Sequence, residues 1–348
     1  KGQKMANWSI LGISGVALLA VTGSALADVT PEDVWQSWQD MSKSAGQIIT
    51  AESATRDGDT LVVSNITMTS ASPAATVDGT MAQLRFTDAG DGTVLVEMPP
   101  EYPITMTLPA GPDRPKSVEI ALDISQDGAT LTASGDPDAV NYDLTAPNLK
   151  IKLNRIDGVA AQNMTVEATF ADISGSYSTD ATATMTSDFT IGGIALAVLG
   201  SDATGEVRMT AAIKDVTLAT SGAMMGAMGG PDFMAALTDG AKSASEMTYA
   251  SADFDIEVTA PAGPSTVTGT SDSGTISASI GAEGLDYSVS QQGVSLNVTS
   301  ADMPVPTMSA KFDALAFGIK MPLVPSDVAQ PFAFTTKLTN MTLSDEIW

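Results

Sequence analysis

The chain has 348 residues, room for one large or two ordinary domains with a sizeable core, and 41 acidic against 16 basic residues give it a formal net charge of −25. That balance argues against nucleic acid and anionic membrane surfaces as partners, because both demand basic patches. With no His and no Cys, disulfides, thiolate nucleophiles, Ser-His-Asp triads and imidazole metal ligands are excluded, and no metal or cofactor site is expected.

Lys1 and Lys4 precede an apolar run from Ile10 to Gly23, and Ser24-Ala25-Leu26-Ala27 comes next. A charged start, a short apolar stretch and an A-x-A site describe a secretory signal peptide over 1–27, with cleavage after Ala27. The run is shorter than the roughly 20 apolar residues that cross a bilayer. The expected product is periplasmic and soluble, with no stable membrane insertion after cleavage.

Residues 30–46 predict a helix. Thr30 caps it, Pro31 suits its first turn, Glu32 and Asp33 complement its dipole, and Lys43 and Gly46 end it. Val34, Trp38, Met41 and Ala45 share one stripe, with Trp35 beside it, as in a helix packed on a sheet. Strand patterns come after it: Leu61 and Val63, then Ile66 and Met68; Leu84 and Phe86; Val94, Val96 and Met98; Ile104, Met106 and Leu108. The Asp/Gly-rich segments between them read as hairpin turns, since they lack the regular acidic spacing of a calcium loop.

Two stretches recur. Residues 129–153 align without a gap on 274–298, and 183–221 align without a gap on 308–346. The offsets are 145 and 125, so the first copy is expected to hold about twenty extra residues around 160–183. In the second pair Val207, Met209, Ala211 and Ile213 alternate, the phase slips by one, and Val216 and Leu218 resume. Phe332, Phe334, Thr336 and Leu338, then Met341 and Leu343, slip at the same place. A slip inside a period of two reads as a β-bulge. Ser64-Asn65, Gln162-Asn163, Lys214-Asp215 and Thr339-Asn340 each precede an apolar-Thr-apolar restart, and Asn and Asp tolerate the backbone angles of a tight bend. These four are read as corners where a long strand curls its sheet.

Residues 222–230 form a Met-rich loop, and Pro231-Asp232 opens a second helix with Phe233, Met234, Leu237 and Ala241 inward and Lys242 near its end. A third helix is expected to begin at Ser344, where the chain stops. The order helix-then-sheet thus occurs twice. The expected architecture is mainly β with a few short helices, α+β, in curved antiparallel sheets. A first module spans 28–222 and a second, truncated one spans 223–348.

LVVSNITMT (61–69), GDGTVLVEMPPEYPITMTL (90–108), NYDLTAPNLKIKL (141–153) and LTNMTLSDEIW (338–348) resemble a family of secreted alphaproteobacterial proteins, domain of unknown function 2125. The family has no assigned activity, so the resemblance implies a compartment and little more. By architecture, a helix followed by a curled antiparallel sheet is similar to periplasmic lipoprotein carriers and to the groove-forming repeats of envelope lipid-transport proteins.

No phosphate loop or dinucleotide fingerprint is present, and aromatic residues at 5 % are too sparse for a stacking platform. Carboxylates are abundant but sit mainly in turns or on the outward phase of strands. The expectation is a non-enzymatic protein without catalytic residues, binding or carrying a lipid or other hydrophobic ligand in a curved β-sheet groove. Met224, Met225 and Met228 are candidates for its mouth, and Val207, Met209, Phe332 and Phe334 for its floor. The alternatives are a structural envelope protein with filled β cores and no ligand, and a polypeptide-binding assembly factor that uses strand edges. Nothing in the residues identifies a protein partner.

Overall fold

The computed structural model describes residues 28–44, 46–72, 74–111, 115–157, 159–160, 163–180, 184–202, 205–223, 231–261, 263–301, 305, 307–325 and 328–344. The signal segment 1–27, Met224, Met225, Met228 and the continuation of the expected third helix lie outside them. The described residues are 75 % strand and 7 % helix, in the order α1 (Pro31–Ser44), β1 (Gln47–Asp57), β2 (Thr60–Ala71), β3 (Thr76–Asp88), β4 (Val94–Glu97), β5 (Glu101–Leu108), β6 (Val118–Asp127), β7 (Thr130–Asp136), β8 (Ala139–Ile156), β9 (Val159–Ala160), β10 (Met164–Thr179), β11 (Thr184–Asp202) and β12 (Gly205–Ala223). Then come α2 (Pro231–Thr238), β13 (Ser243–Tyr249), β14 (Ser251–Ala260), β15 (Gly263–Ser271), β16 (Ser273–Gly281), β17 (Gly284–Ser300), β18 (Thr307–Met321), β19 (Ala333–Thr339) and β20 (Thr342–Leu343).

The mainly β, antiparallel architecture expected from the alternation is present, in one sheet of 20 strands. The expected module boundary at 222/223 falls at the end of β12, and the sheet continues across it, because β12 pairs with both β13 and β14.

What organises the sheet is a line of kinks crossing it. Asn65, Asp172, Asp215 and Asn340 have φ between 50° and 53°, and Gly128 and Gly293 have φ of 68° and 58°. The pairings bring these residues to one level. Asp172 faces Gly192, Gly192 faces Asp215, and Gly293 faces Asp313, which faces Asn340. At this level several strands are interrupted, so that β4/β5, β6/β7, β13/β14, β15/β16 and β19/β20 are each one column broken in two. On one side of the line stands a lower wall: the first half of β8, the second halves of β10 and β12, then β13, β16 and β19. The other halves, with β5, β6, β14, β15 and β20, make an upper wall.

This replaces the bulges expected from the phase slips. A bulge sets two residues against one and shifts the register. Here Ser64 pairs with Gln83 and Ile66 with Met81, so the register runs through Asn65 unchanged. Both partners slip together: Val63 and Ile66 are buried on β2, and Met81 and Leu84 on β3. A single left-handed residue turns the chain over, and the apolar set keeps to one side while changing from odd to even numbers. Asn, Asp and Gly hold such angles at the least cost. Gly293 is required twice over, since a β-carbon there would also strike Asp272. The register shift that does occur lies elsewhere, between Ala121 and Leu122 of β6.

Three expected corners, Asn65, Asp215 and Asn340, are kinks; the one at Gln162-Asn163 is not. Asn163 lies in a turn ahead of β10, where its carbonyl accepts from Ser201 N. The kink of β10 is at Asp172, within Phe170-Ala-Asp-Ile173. The repeats divide likewise. The 145-residue offset puts the β7–β8 turn on the β16–β17 turn and the pair Leu131–Leu144 on the pair Ile276–Val289, so the hairpin is true in register. The 125-residue offset superimposes Asp215 on Asn340 but sets Gly192 on Phe317, whereas the kink level of β18 is Asp313. That gapless match therefore holds for β12 with β19 and fails for β11 with β18. The roughly twenty extra residues contain strand β10, 16 residues long, which also reverses the direction of the strands after it.

α1 closes one end of the lower wall. Thr30 Oγ1 accepts from Asp33 N at 3.2 Å, and Asp33 Oδ2 accepts from Thr30 N at 2.9 Å, a reciprocal cap. Val34 and Trp35 are buried against Leu61, Val63, Leu84, Phe86, Val94, Val96, Leu131, Ala133, Val140 and Tyr142. The Trp38 ring meets Phe86 edge-on at 5.5 Å, and Tyr142 stacks on Tyr177 at 4.6 Å. The second helix is shorter than expected. It ends at Thr238, leaving Ala241 and Lys242 beyond it, with Phe233 and Leu237 buried.

Candidate functional site: an apolar trough and its rim

Beyond β10 the inner face continues without α1. One row crosses the lower wall as Leu218–Met247–Ile276–Val289–Phe317, each residue opposite the next. Another crosses the upper wall as Met209–Ile256–Val267–Val298–Met308. Every residue of both rows is half-buried. Burial is deepest beside the kink line, where Val216, Tyr249 and Val294 are buried, and falls towards the wall tops, where Val207 is 44 % exposed. The inner face is thus an apolar trough whose floor tracks the kinks.

The duplicated hairpin makes the contrast within one sequence pattern. In β7–β8, Leu131, Ala133, Val140 and Tyr142 are buried beneath α1. Their equivalents Ile276, Ala278, Leu285 and Tyr287 in β16–β17 are half-buried. Tyr142 has a stacked ring and donates to Ser37 Oγ at 2.9 Å. Among the described residues, Tyr287 has a ring contact edge-on to Phe317 at 6.3 Å and no stacked partner.

Four of the residues expected at the groove fall among the described ones. Val207 and Met209 lie on the inner face of the upper wall, near its top rather than on its floor. Phe334 is on the inner face of the last column, 61 % exposed, with its ring edge-on to Phe317 at 5.2 Å. Phe332 precedes β19 and is 62 % exposed. Alternation reports which side a residue faces, and says nothing of its height above the floor, so the floor itself was missed.

That floor carries a polar node. The Tyr249 hydroxyl donates to Ser271 Oγ at 3.2 Å and accepts from Gln291 Nε2 at 3.0 Å. Ser271 Oγ lies 3.1 Å from the Gln292 carbonyl. The node ties together the two columns broken at this level and satisfies buried groups that the ladder leaves open. No signal in the sequence pointed to it, because its members are far apart in the chain.

At the top of the lower wall a cavity of about 1120 Å³ straddles the rim. The last inner row, Gly222–Ser243–Ile280–Leu285–Met321, lines one side, and the outward row Ser221–Ala244–Ser279–Asp286–Lys320 lines the other. A recess of about 700 Å³ adjoins it on the outer face. Lys320 Nζ pairs with Asp286 Oδ2 at 2.6 Å, while Lys242 and Glu283 make no ion pair among the described residues.

Four described groups have a pKa away from the ordinary value: Asp91, held low by hydrogen bonds from Thr93, and Tyr102, Tyr142 and Tyr177, raised by burial. The three tyrosines belong to the core beneath α1, and Asp91 lies in the turn between β3 and β4. The trough thus offers aliphatic surface, a few hydroxyls and a polar rim, an arrangement suited to binding. No family model matches the chain, and no curated protein or solved structure is similar to it.

Proposed function

We propose that the protein is a non-enzymatic periplasmic binding or carrier protein that holds a lipid or other hydrophobic ligand along the trough from β10 to β20. The observation that carries this reading is the duplicated hairpin: one sequence pattern is fully covered in its first occurrence and half-covered in its second. Aliphatic surface left open in a continuous concavity is the feature that acyl chains recognise. The eight columns of this half, spaced by 4.7–4.9 Å, extend about 33 Å, long enough for an extended acyl chain. Burying a methylene contributes about 0.8 kcal/mol, so a dozen half-buried ones give roughly 5 kcal/mol. That corresponds to a dissociation constant between millimolar and micromolar, loose enough for a carrier to release its load. The signal-like start supports export, and so does the resemblance to the secreted family of unknown function.

The test is native mass spectrometry and solvent extraction of protein purified from the periplasm of its host. Co-purifying lipid, and binding of a hydrophobic dye that the lipid displaces, is the expected result. Protein free of lipid that also ignores the dye would favour a purely structural role.

A further inference from the structure

Resting on that reading, we propose that the rim cavity selects the ligand's polar head, and that the head is a zwitterionic phosphodiester bearing an ammonium group. The cavity belongs to both faces of the lower wall. Its inner side is the last row of the trough, through Ile280, Leu285 and Met321, and its outer side is polar. An amphiphile lying in the trough therefore reaches water over this rim without leaving protein contact.

The charges there are balanced, in a chain that is strongly acidic as a whole. Lys242 and Lys320 are two of only 16 basic residues, and Glu283 and Asp286 oppose them. Lys320 and Asp286 satisfy each other at 2.6 Å. That leaves one ammonium, Lys242, and one carboxylate, Glu283, with neither in an ion pair among the described residues. The position of a β-carbon on Gly281 would lie 3.4 Å from Lys242 Cβ, so the base of the Lys242 side chain lies beside the last residue of β16, two residues before Glu283. A lone cation attracts a phosphate, and a lone carboxylate beside it attracts an ammonium. A purely anionic head would satisfy Lys242 and be repelled by Glu283. The remaining lining, Gly222, Gly240, Ala244, Gly281, Ala282 and Gly284, is small and leaves room for such a head.

The experiment displaces a bound fluorescent fatty-acid probe from the full chain. The competitors are dioleoyl phosphatidylethanolamine, dioleoyl phosphatidylglycerol and dioleoylglycerol in detergent micelles. Wild type should bind the ethanolamine lipid about tenfold more tightly than either of the others. Lys242→Gln should abolish its advantage over dioleoylglycerol, and Glu283→Gln its advantage over phosphatidylglycerol, with each lipid's affinity referred to the probe's own dissociation constant measured on the same variant. Equal displacement by all three lipids, or variants that keep the wild-type order, overturns this inference and leaves the trough reading standing. Failure of wild type to bind the probe or any lipid overturns both.

Discussion

Asn340 donates its side-chain amide to the Asp313 carboxylate at 2.6 Å across the kink between the last two columns. At the far edge of the sheet Asn65 makes the same bond to Glu52. In both pairs the donor is the left-handed residue and the acceptor sits at the same level on the neighbouring strand. The side chain thus holds the turned-over backbone against the partner strand, and the turned-over backbone keeps apolar residues on one side of a long strand.

Asn65 is therefore expected to tolerate Gly and reject a β-branched residue. A side chain without polar reach loses about 1–2 kcal/mol at this angle, and more when branched at Cβ. Asn65→Val should lower stability by about 2–3 kcal/mol, and Asn65→Gly by less than about 1 kcal/mol. Urea denaturation monitored by circular dichroism measures both, and equal losses would remove the backbone angle as the cause.

Phe86 and Phe334 have the same chemistry in opposite settings, buried beneath Trp35 and Trp38 in one case and 61 % exposed in the other. Phe86→Ala should cost about 3–5 kcal/mol. Phe334→Asp should leave the fold within about 0.5 kcal/mol of wild type, as exposed substitutions do. A thermal melt of each variant decides, and collapse of Phe334→Asp would mean that the last column is covered in solution.

Stability should also fall at high pH. Burial pushes the Tyr142 hydroxyl up to about 12 from 10.0, against smaller opposing effects from Ser37 and Trp38. Tyr177 is raised too, by burial and by its neighbour Tyr142. Because the folded value lies above the unfolded one, the contribution is complete below pH 10 and is lost as pH rises towards the folded value. Melting temperature should therefore drop more steeply between pH 10 and 12 in wild type than in Tyr142→Phe. Parallel curves would sink this assignment.

Much of the fold can be read along the chain because the alternation is strong. Leu61, Val63, Ile66 and Met68 announce both the strand and its kink, and Asp215 and Asn340 mark two more. Strand β1 escaped because it is an edge strand, polar on most of its length. Asp172 escaped because a small residue, Ala171, precedes it and no Thr comes two positions later, so the recurring motif is broken. The functional half was harder to read. Covered and uncovered hairpins have the same pattern, and only tertiary placement of α1 distinguishes Tyr142 from Tyr287. The rim cavity joins Ser221, Lys242, Glu283 and Lys320, a set that strand pairing alone brings together.

The central claim, that the inner face beyond β10 is the ligand surface, can be tested by placing a photoreactive benzophenone amino acid at Ile276, on the inner row, and at Ser277, on the outer face of the same strand. The protein is exported in its host, illuminated and weighed by mass spectrometry. Adducts of lipid mass at position 276 and none at 277 are the predicted result. Adducts at neither position, or equally at both, would contradict it.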